Sequence, residues 1–258
     1  MPGPFLIGGI MEKRYVEVRS RGLTLRGYLE LPDGASTEAP VPLLVMFHGF
    51  TGTLSEKHFV LSRLSRRVVG AGVATLRLDF GGSGESDGEF MEVTPLTEVE
   101  DGREILMFGC SLPEIDPTRV GLFGFSLGGF VAINVAVREQ PRLKRLILMS
   151  PGMITHKKME RMFNENGEAG RGALRVCREF VSDGYSLDPL AAARTFQKPV
   201  TIVQGTRDLA VPPDTAVAYQ EAFPNAELTF VEGADHAYDR PDWFEGLSRA
   251  VVMAVKKL

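Results

Sequence analysis

The stretch Gly121-Leu122-Phe123-Gly124-Phe125-Ser126-Leu127-Gly128-Gly129, GLFGFSLGG, sets one serine among four glycines, directly after an apolar run and directly before another. Glycine lacks a Cβ and weakens strands and helices alike. Glycines on both sides of a serine therefore need a reason, and a strand that merely turned would not require those beyond it. Gly124-Phe125-Ser126-Leu127-Gly128 has the spacing G-x-S-x-G, in which the serine occupies a strained strand-to-helix turn crowded by neighbouring backbone. The competing reading is a glycine-rich turn with an idle serine, and the rest of the chain has to decide.

Outward from that turn, the pattern is one of buried strands and helices. Leu43–Phe47, Val73–Leu78, Val120–Phe123, Leu146–Met149, Val200–Val203 and Leu228–Val231 are continuous apolar runs, as expected of strands buried on both faces of a parallel sheet. Ahead of them, Tyr15–Arg19 and Leu23–Leu29 alternate polar and apolar residues, the pattern of antiparallel strands wet on one side. Helical periodicity is read between Phe59 and Val69, after Pro95, from Leu127 to Val137, from Thr215 to Phe223 and from Trp243 to Val255. Together these predict a doubly wound α/β sheet. Pro151–Gln197 breaks the rhythm. It is too long for a simple crossover, shows no clear strand, and scatters Met153, Met159, Met162, Phe163, Leu174, Val176, Phe180 and Tyr185 among charges. It reads as a helical insertion whose apolar face packs on the body and forms a lid over a pocket. The expected organisation is a core of residues 1–150 and 198–258 with a lid of residues 151–197.

Sites in a parallel α/β sheet form beyond the carboxyl ends of the strands. Those ends carry His48-Gly49-Phe50-Thr51-Gly52, Asp79-Phe80-Gly81-Gly82-Ser83-Gly84, the Ser126 turn, Gln204-Gly205-Thr206-Arg207-Asp208 and Glu232-Gly233-Ala234-Asp235-His236. A serine, an acid and a histidine thus share one edge in the chain order expected of a nucleophile elbow and its partners. Ser126 becomes the candidate nucleophile, since a serine hydroxyl is a poor nucleophile until a base takes its proton. His236 is the candidate base. His48 belongs by position to the loop after the first buried strand, and His58 and His156 lie on a helix and in the insertion. Asp208 is the candidate acid that holds the imidazole. Asp235, adjacent to His236, and Asp214, near a helix start after Pro212-Pro213, are its rivals.

HGFTG, LRLDFGGSGESDGEF, GFSLGG, QGTRD and VEGADH make the chain resemble the serine esterases of the α/β-hydrolase fold over nearly its whole length, and more narrowly the bacterial cinnamoyl and feruloyl esterase group. The resemblance implies an α/β-hydrolase fold: a mostly parallel, eight-stranded sheet flanked by helices, with a small helical lid insertion. It implies a carboxylic ester hydrolase that passes through an acyl-enzyme and acts on hydroxycinnamoyl or short acyl esters. Asp79 is then a structural, loop-fixing acid. Backbone N–H groups of Phe50 and Leu127 are expected to hold the oxyanion, the latter aided by the dipole at a helix start. The Phe50 ring, His48, Tyr185, Tyr238 and Trp243 are candidate pocket residues. Thioester and acyl-peptide hydrolysis with the same triad are the alternatives. Dehalogenase or epoxide hydrolase chemistry would want an aspartate where Ser126 stands. A non-catalytic binding protein of the same fold is the remaining reading.

Composition narrows the partners. The chain has 258 residues, 44% hydrophobic and 24% charged, with a formal net charge of −4. This suits one α/β domain with an insertion and offers no basic surplus for nucleic acid. Cys110 and Cys177 form no C-x-x-C, so reduced thiols without a disulfide or metal role are expected. Neither H-E-x-x-H nor a Rossmann G-x-G-x-x-G is present, so no metal and no organic cofactor is expected. The N-terminal MPGPFLIGGIMEKRY has a short apolar run but no basic n-region and no A-x-A site, and Met11 is a possible start. A cytoplasmic monomer or homodimer with a small-molecule ester substrate and no membrane contact is expected.

Overall fold

The alternating opening segment forms a hairpin: β1 (Glu12–Ser20) pairs antiparallel with β2 (Leu23–Leu31) around Arg21 and Gly22. A computed structural model of the chain describes residues 12–153, 169–171 and 173–258. The apolar runs become β3 (Val41–Phe47), β4 (Ala74–Leu78), β5 (Ile115–Phe125) and β6 (Leu143–Met149). After a short antiparallel pair, β7 (Ala169–Arg171) and β8 (Leu174–Val176), come β9 (Val200–Gly205) and β10 (Ala226–Val231). The main sheet has eight strands in the order β1-β2-β4-β3-β5-β6-β9-β10. Within this sheet only the β1–β2 and β2–β4 pairings are antiparallel, as the change from alternating to continuous apolar sequence predicts.

Period-two geometry divides β3 between two cores. Leu43, Val45 and Phe47 face a core built with α2 (Pro95–Ser111), α3 (Leu127–Arg138) and α6 (Pro213–Ala222). Leu44 and Met46 face a second core with α1 (Val60–Val69) and α7 (Pro241–Val255). The helix after Ser126, apolar all round in sequence, is buried from Leu127 to Ala136.

The expectations need two corrections. The run Leu228–Val231 is not buried on both faces: β10 closes the sheet edge, and Phe230 is 45% exposed. The insertion is not purely helical, because it contains the β7–β8 pair beside α4 (Glu179–Tyr185). Its last helix, α5 (Pro189–Thr195), packs on α3 and α6, with Ala193 and Phe196 in the first core. Met159, Met162, Phe163 and His156 lie outside the described residues. Cys110 and Cys177 are free thiols, and no helix among the described residues is long and apolar enough to cross a membrane.

One ionic contact is buried inside this frame. Arg77 on β4 donates from Nη2 to Glu30 Oε1 on β2 at 3.0 Å, and from Nη1 to the Leu54 carbonyl at 2.7 Å. Glu30 also accepts the Ser65 hydroxyl. Burial pulls the guanidinium below its ordinary pKa, and the Glu30 carboxylate opposes that pull. Removing one member of a buried pair leaves an uncompensated charge, at about 3–5 kcal/mol. Glu30→Ala is therefore expected to lower unfolding stability by that amount, read from the midpoint of urea denaturation. A loss under about 1 kcal/mol would mean that Arg77 finds water or another partner.

Candidate active site

Strand β5 reaches the carboxyl edge of the sheet and meets α3 with only Ser126 between them. A Cβ at Gly124 would stand 2.2 Å from the Gly128 carbonyl oxygen, and one at Gly128 2.3 Å from the His48 carbonyl oxygen. Only glycine permits that approach. Ser126 takes φ 53° and ψ −120°, a region sparsely populated by residues with a side chain. Its carbonyl accepts from the N–H groups of Gly129, Phe130 and Gly152, and its own N–H donates to the Met149 carbonyl at 3.0 Å. Its backbone is thus held on both sides while the side chain stays partly open.

Ser126, His236 and Asp208 form one hydrogen-bonded row. His236 Nδ1 lies 2.6 Å from Asp208 Oδ2, and His236 Nε2 lies 3.0 Å from Ser126 Oγ. A carboxylate can only accept, so Nδ1 carries the proton, Nε2 is the acceptor, and the serine hydroxyl donates to it. The imidazole also rests against the Phe125 ring, with centroids 4.8 Å apart. Two loop contacts keep the acid and the histidine in register: Gly233 N–H donates to Thr206 Oγ1, and Arg207 N–H donates to the Ala234 carbonyl.

Asp208 is 2% exposed and stays charged because its oxygens are saturated. Oδ1 accepts from the N–H groups of Ala210 and Val211, and Oδ2 from His236 and from Gln204 Nε2. Burial alone would raise its pKa. The bond and charge of His236, with the bond from Val211 N–H, outweigh that and bring the carboxyl below its ordinary value. The rival acids are placed differently. Asp235 Oδ1 accepts from the N–H groups of Ala237 and Tyr238, and Asp214 lies in the first turn of α6. Asp79 ties two loops, accepting from Leu54 N–H and Glu85 N–H.

Leu127 N–H opens α3 beside Ser126. Phe50 lies in the loop after β3, and neither N–H hydrogen-bonds to another described residue. The Phe50 ring meets Phe180 of α4 at 5.2 Å and Phe90 at 5.6 Å. With Leu127, Phe130, Val176 and Leu187 these rings form an apolar cluster beside Ser126. Tyr185 is half-buried at the end of α4.

Three expected pocket residues are placed differently. His48 is 1% exposed: its Nε2 accepts from Phe80 N–H, so its Nδ1–H donates to the Gly49 carbonyl. Tyr238 is fully buried in the second core, with its hydroxyl 3.1 Å from Ser150 Oγ. Trp243 packs on that core, with Arg240 over its ring. Apolar character near His236 in sequence does not say which side of the strand end a ring will take. Gln204, Ser150 and Glu56 escaped the sequence reading. The one available signal was Gln204, a polar residue closing an otherwise apolar strand.

Residues 38–182 match the family model Hydrolase_4, described as serine aminopeptidase, S33, and residues 113–253 match the Esterase family model. The chain belongs to these hydrolase families and has the α/β-hydrolase fold. Among solved structures, Est1E from Butyrivibrio proteoclasticus with ferulic acid bound superposes with a TM-score of 0.80 at 26% identity, covering 93% of this chain and 96% of that one. An Escherichia coli protein described as an uncharacterized 31.7 kDa protein in the traX-finO intergenic region is 26% identical, covering 83% of this chain and 88% of its own length. Thiohydrolase aneE of Aspergillus aculeatus is 35% identical over 54% of this chain, and that match spans 42% of aneE.

The placement of Tyr238 makes a specific expectation. Tyr238→Phe removes a buried hydroxyl with its contacts to Ser150 Oγ and the Val203 carbonyl, so it should cost about 1 kcal/mol of stability and leave KM for any substrate within twofold of wild type. A KM several-fold higher, with stability unchanged, would put the ring back in the pocket.

Proposed function

We propose that the chain is a serine-dependent carboxylic ester hydrolase. The observation that carries this reading is the row from Ser126 Oγ through His236 to Asp208, at 3.0 and 2.6 Å, on a backbone strained at the serine alone of the three. In this reading His236 Nε2 takes the hydroxyl proton as Ser126 attacks the ester carbonyl. Phe50 N–H and Leu127 N–H receive the oxyanion. His236 returns the proton to the leaving alcohol, and water then releases the acid from the acyl-enzyme by the same steps in reverse order. Asp208 keeps Nδ1 protonated and stabilises the imidazolium. No step needs a metal or an organic cofactor.

The apolar cluster supports an aromatic acyl group, such as a hydroxycinnamoyl, or a short aliphatic one. Rings of Phe50, Phe90 and Phe180 offer edges and faces at stacking distances, and the likeness to Est1E points the same way. A thioester is the second reading, favoured by the match to a thiohydrolase. The same row would serve it, since a thiolate leaves more easily than an alkoxide. Acyl-peptide hydrolysis draws on the S33 family description, without a further structural feature in its favour. The protein is proposed to act in the cytoplasm, as a monomer or homodimer.

An ester panel running from p-nitrophenyl acetate through longer acyl chains to methyl ferulate tests the reading. Wild type should hydrolyse the short or aromatic members best. Ser126→Ala should be folded and without measurable turnover. Asp208→Asn should fall about 10⁴-fold in kcat through loss of the productive tautomer. An inert wild type, or a turning-over Ser126→Ala, overturns the proposal. Preference for acyl thioesters over matched oxyesters moves it to the second reading.

A further inference from the structure

The loop between β3 and α1 carries non-glycine residues at positive φ: Thr51 at 61°, Glu56 at 59°, His58 at 52° and Phe59 at 56°. Such backbone persists only where its surroundings over-determine it, and here the holding groups can be named. Leu54 is fixed at both ends, its N–H by Asp79 Oδ1 and its carbonyl by Arg77. The Gly49 carbonyl accepts from His48 Nδ1–H and from Gly52 N–H, both at 3.0 Å. The peptide unit is planar, so fixing that carbonyl also fixes the direction of the Phe50 N–H on its far side. The preceding peptide is held by Glu56: Gly49 N–H donates to Glu56 Oε1 at 2.7 Å. The Glu56 carboxylate lies tucked against Gly52, where a Cβ would stand 2.0 Å from Oε1. A Cβ on Gly49 would be 3.0 Å from Ser126 Cβ and 3.3 Å from Glu56 Oε1. The clamp therefore sits beside the nucleophile and one residue from the donor.

We infer that Glu56 is a positioning residue for the oxyanion hole: its carboxylate locks the Gly49–Gly52 turn and thereby aims the Phe50 N–H. The inference rests on the proposed serine hydrolase reading and deepens it. Glu56 touches no reacting atom. Its effect passes through the loop backbone. The requirement is for an acceptor oxygen at this point rather than for charge, because the partner is a neutral amide.

Three variants separate this role from a structural one. Glu56→Ala removes the acceptor. Glu56→Gln keeps an oxygen in the same place. Gly52→Ala leaves Glu56 intact but pushes the carboxylate off Gly49 with its methyl group. With p-nitrophenyl acetate, Glu56→Ala and Gly52→Ala should lose about tenfold to a hundredfold in kcat, the range of a displaced donor, with KM within about threefold. Inhibition by phenyl trifluoromethyl ketone, which forms an oxyanion on the serine, should weaken by the same factor. Glu56→Gln should stay within about threefold of wild type in both. Wild-type kcat in folded Glu56→Ala or in Gly52→Ala overturns the inference, as does a Glu56→Gln as impaired as Glu56→Ala. If Glu56→Ala does not fold, Gly52→Ala and Glu56→Gln decide alone. Activity surviving in Ser126→Ala would instead remove the hydrolase reading underneath, so the two failures are distinguishable.

Discussion

The close approach of α3 to the end of β5 is the constraint on which the rest of the site depends. Backbone at Gly124 and Gly128 comes within the space a methyl group would need, and a Cβ at Gly129 would stand 2.9 Å from Pro151 Cα. A helix cannot begin so near a strand unless one residue turns sharply, and Ser126 is that residue. The strain at its φ of 53° is offset by burial of the first ten residues of α3 in the core, where each fully buried aliphatic side chain contributes roughly 1.5–3 kcal/mol. The geometry of the hydroxyl is thus held by apolar packing far larger than the local cost. The same turn leaves Leu127 N–H at the open end of a helix, where the dipole is positive.

Buried carboxylates do the complementary work at the loops around Ser126. Asp208, Asp79 and Asp101 are all buried, and each is satisfied by several donors from separate segments. Asp101 takes the Ser20 hydroxyl, the Arg21 guanidinium and the Gly81 N–H. A charge so surrounded holds distant pieces of chain to one point, and losing it exposes unpaired donors. Glu98, one turn before Asp101, shows the opposite solution. Its buried Oε2 has no hydrogen-bond partner among the described residues. Burial, with the charge of Asp101, pushes it well above the ordinary carboxyl range. Where donors are supplied the carboxylate braces a loop; where they are absent, burial works against its charged form.

Glycine spacing, apolar runs and strand-end residues are local signals, and they made the sheet, its antiparallel opening and the chain order of Ser126, Asp208 and His236 legible. Contacts that close through space were not. His48 and Tyr238 sit beside strand ends as pocket residues would, yet both turn inward, because a ring at such a position can face either the site or the core. The edge position of β10 depends on what lies next to it in the sheet, and Leu228–Val231 reads the same with or without a neighbour. The β7–β8 pair is too short for periodicity to register. Glu56 looks like one more charge in a polar loop, and its contact with Gly49 depends on positive φ values that no residue type there requires.

Acyl selection must then arise from a different part of the molecule than the chemistry. On the reading proposed above, oxyanion donors are main-chain groups, and the row of side chains that moves the proton meets only the ester carbonyl and its leaving atom. None of these senses the far end of an acyl group. The side chains that can do so, Phe50, Phe90, Val176 and Phe180, come from the loop after β3, the turn before α2 and the insertion. They meet only when all three segments are in place. Because on that reading Phe50 contributes both a ring to this cluster and an N–H to the oxyanion hole, a shift of its loop would move donor and wall together. An acyl group that displaced the Phe50 ring would also misaim the donor that its own hydrolysis requires. Poorly fitting esters should therefore be disfavoured in the chemical step as well as in binding.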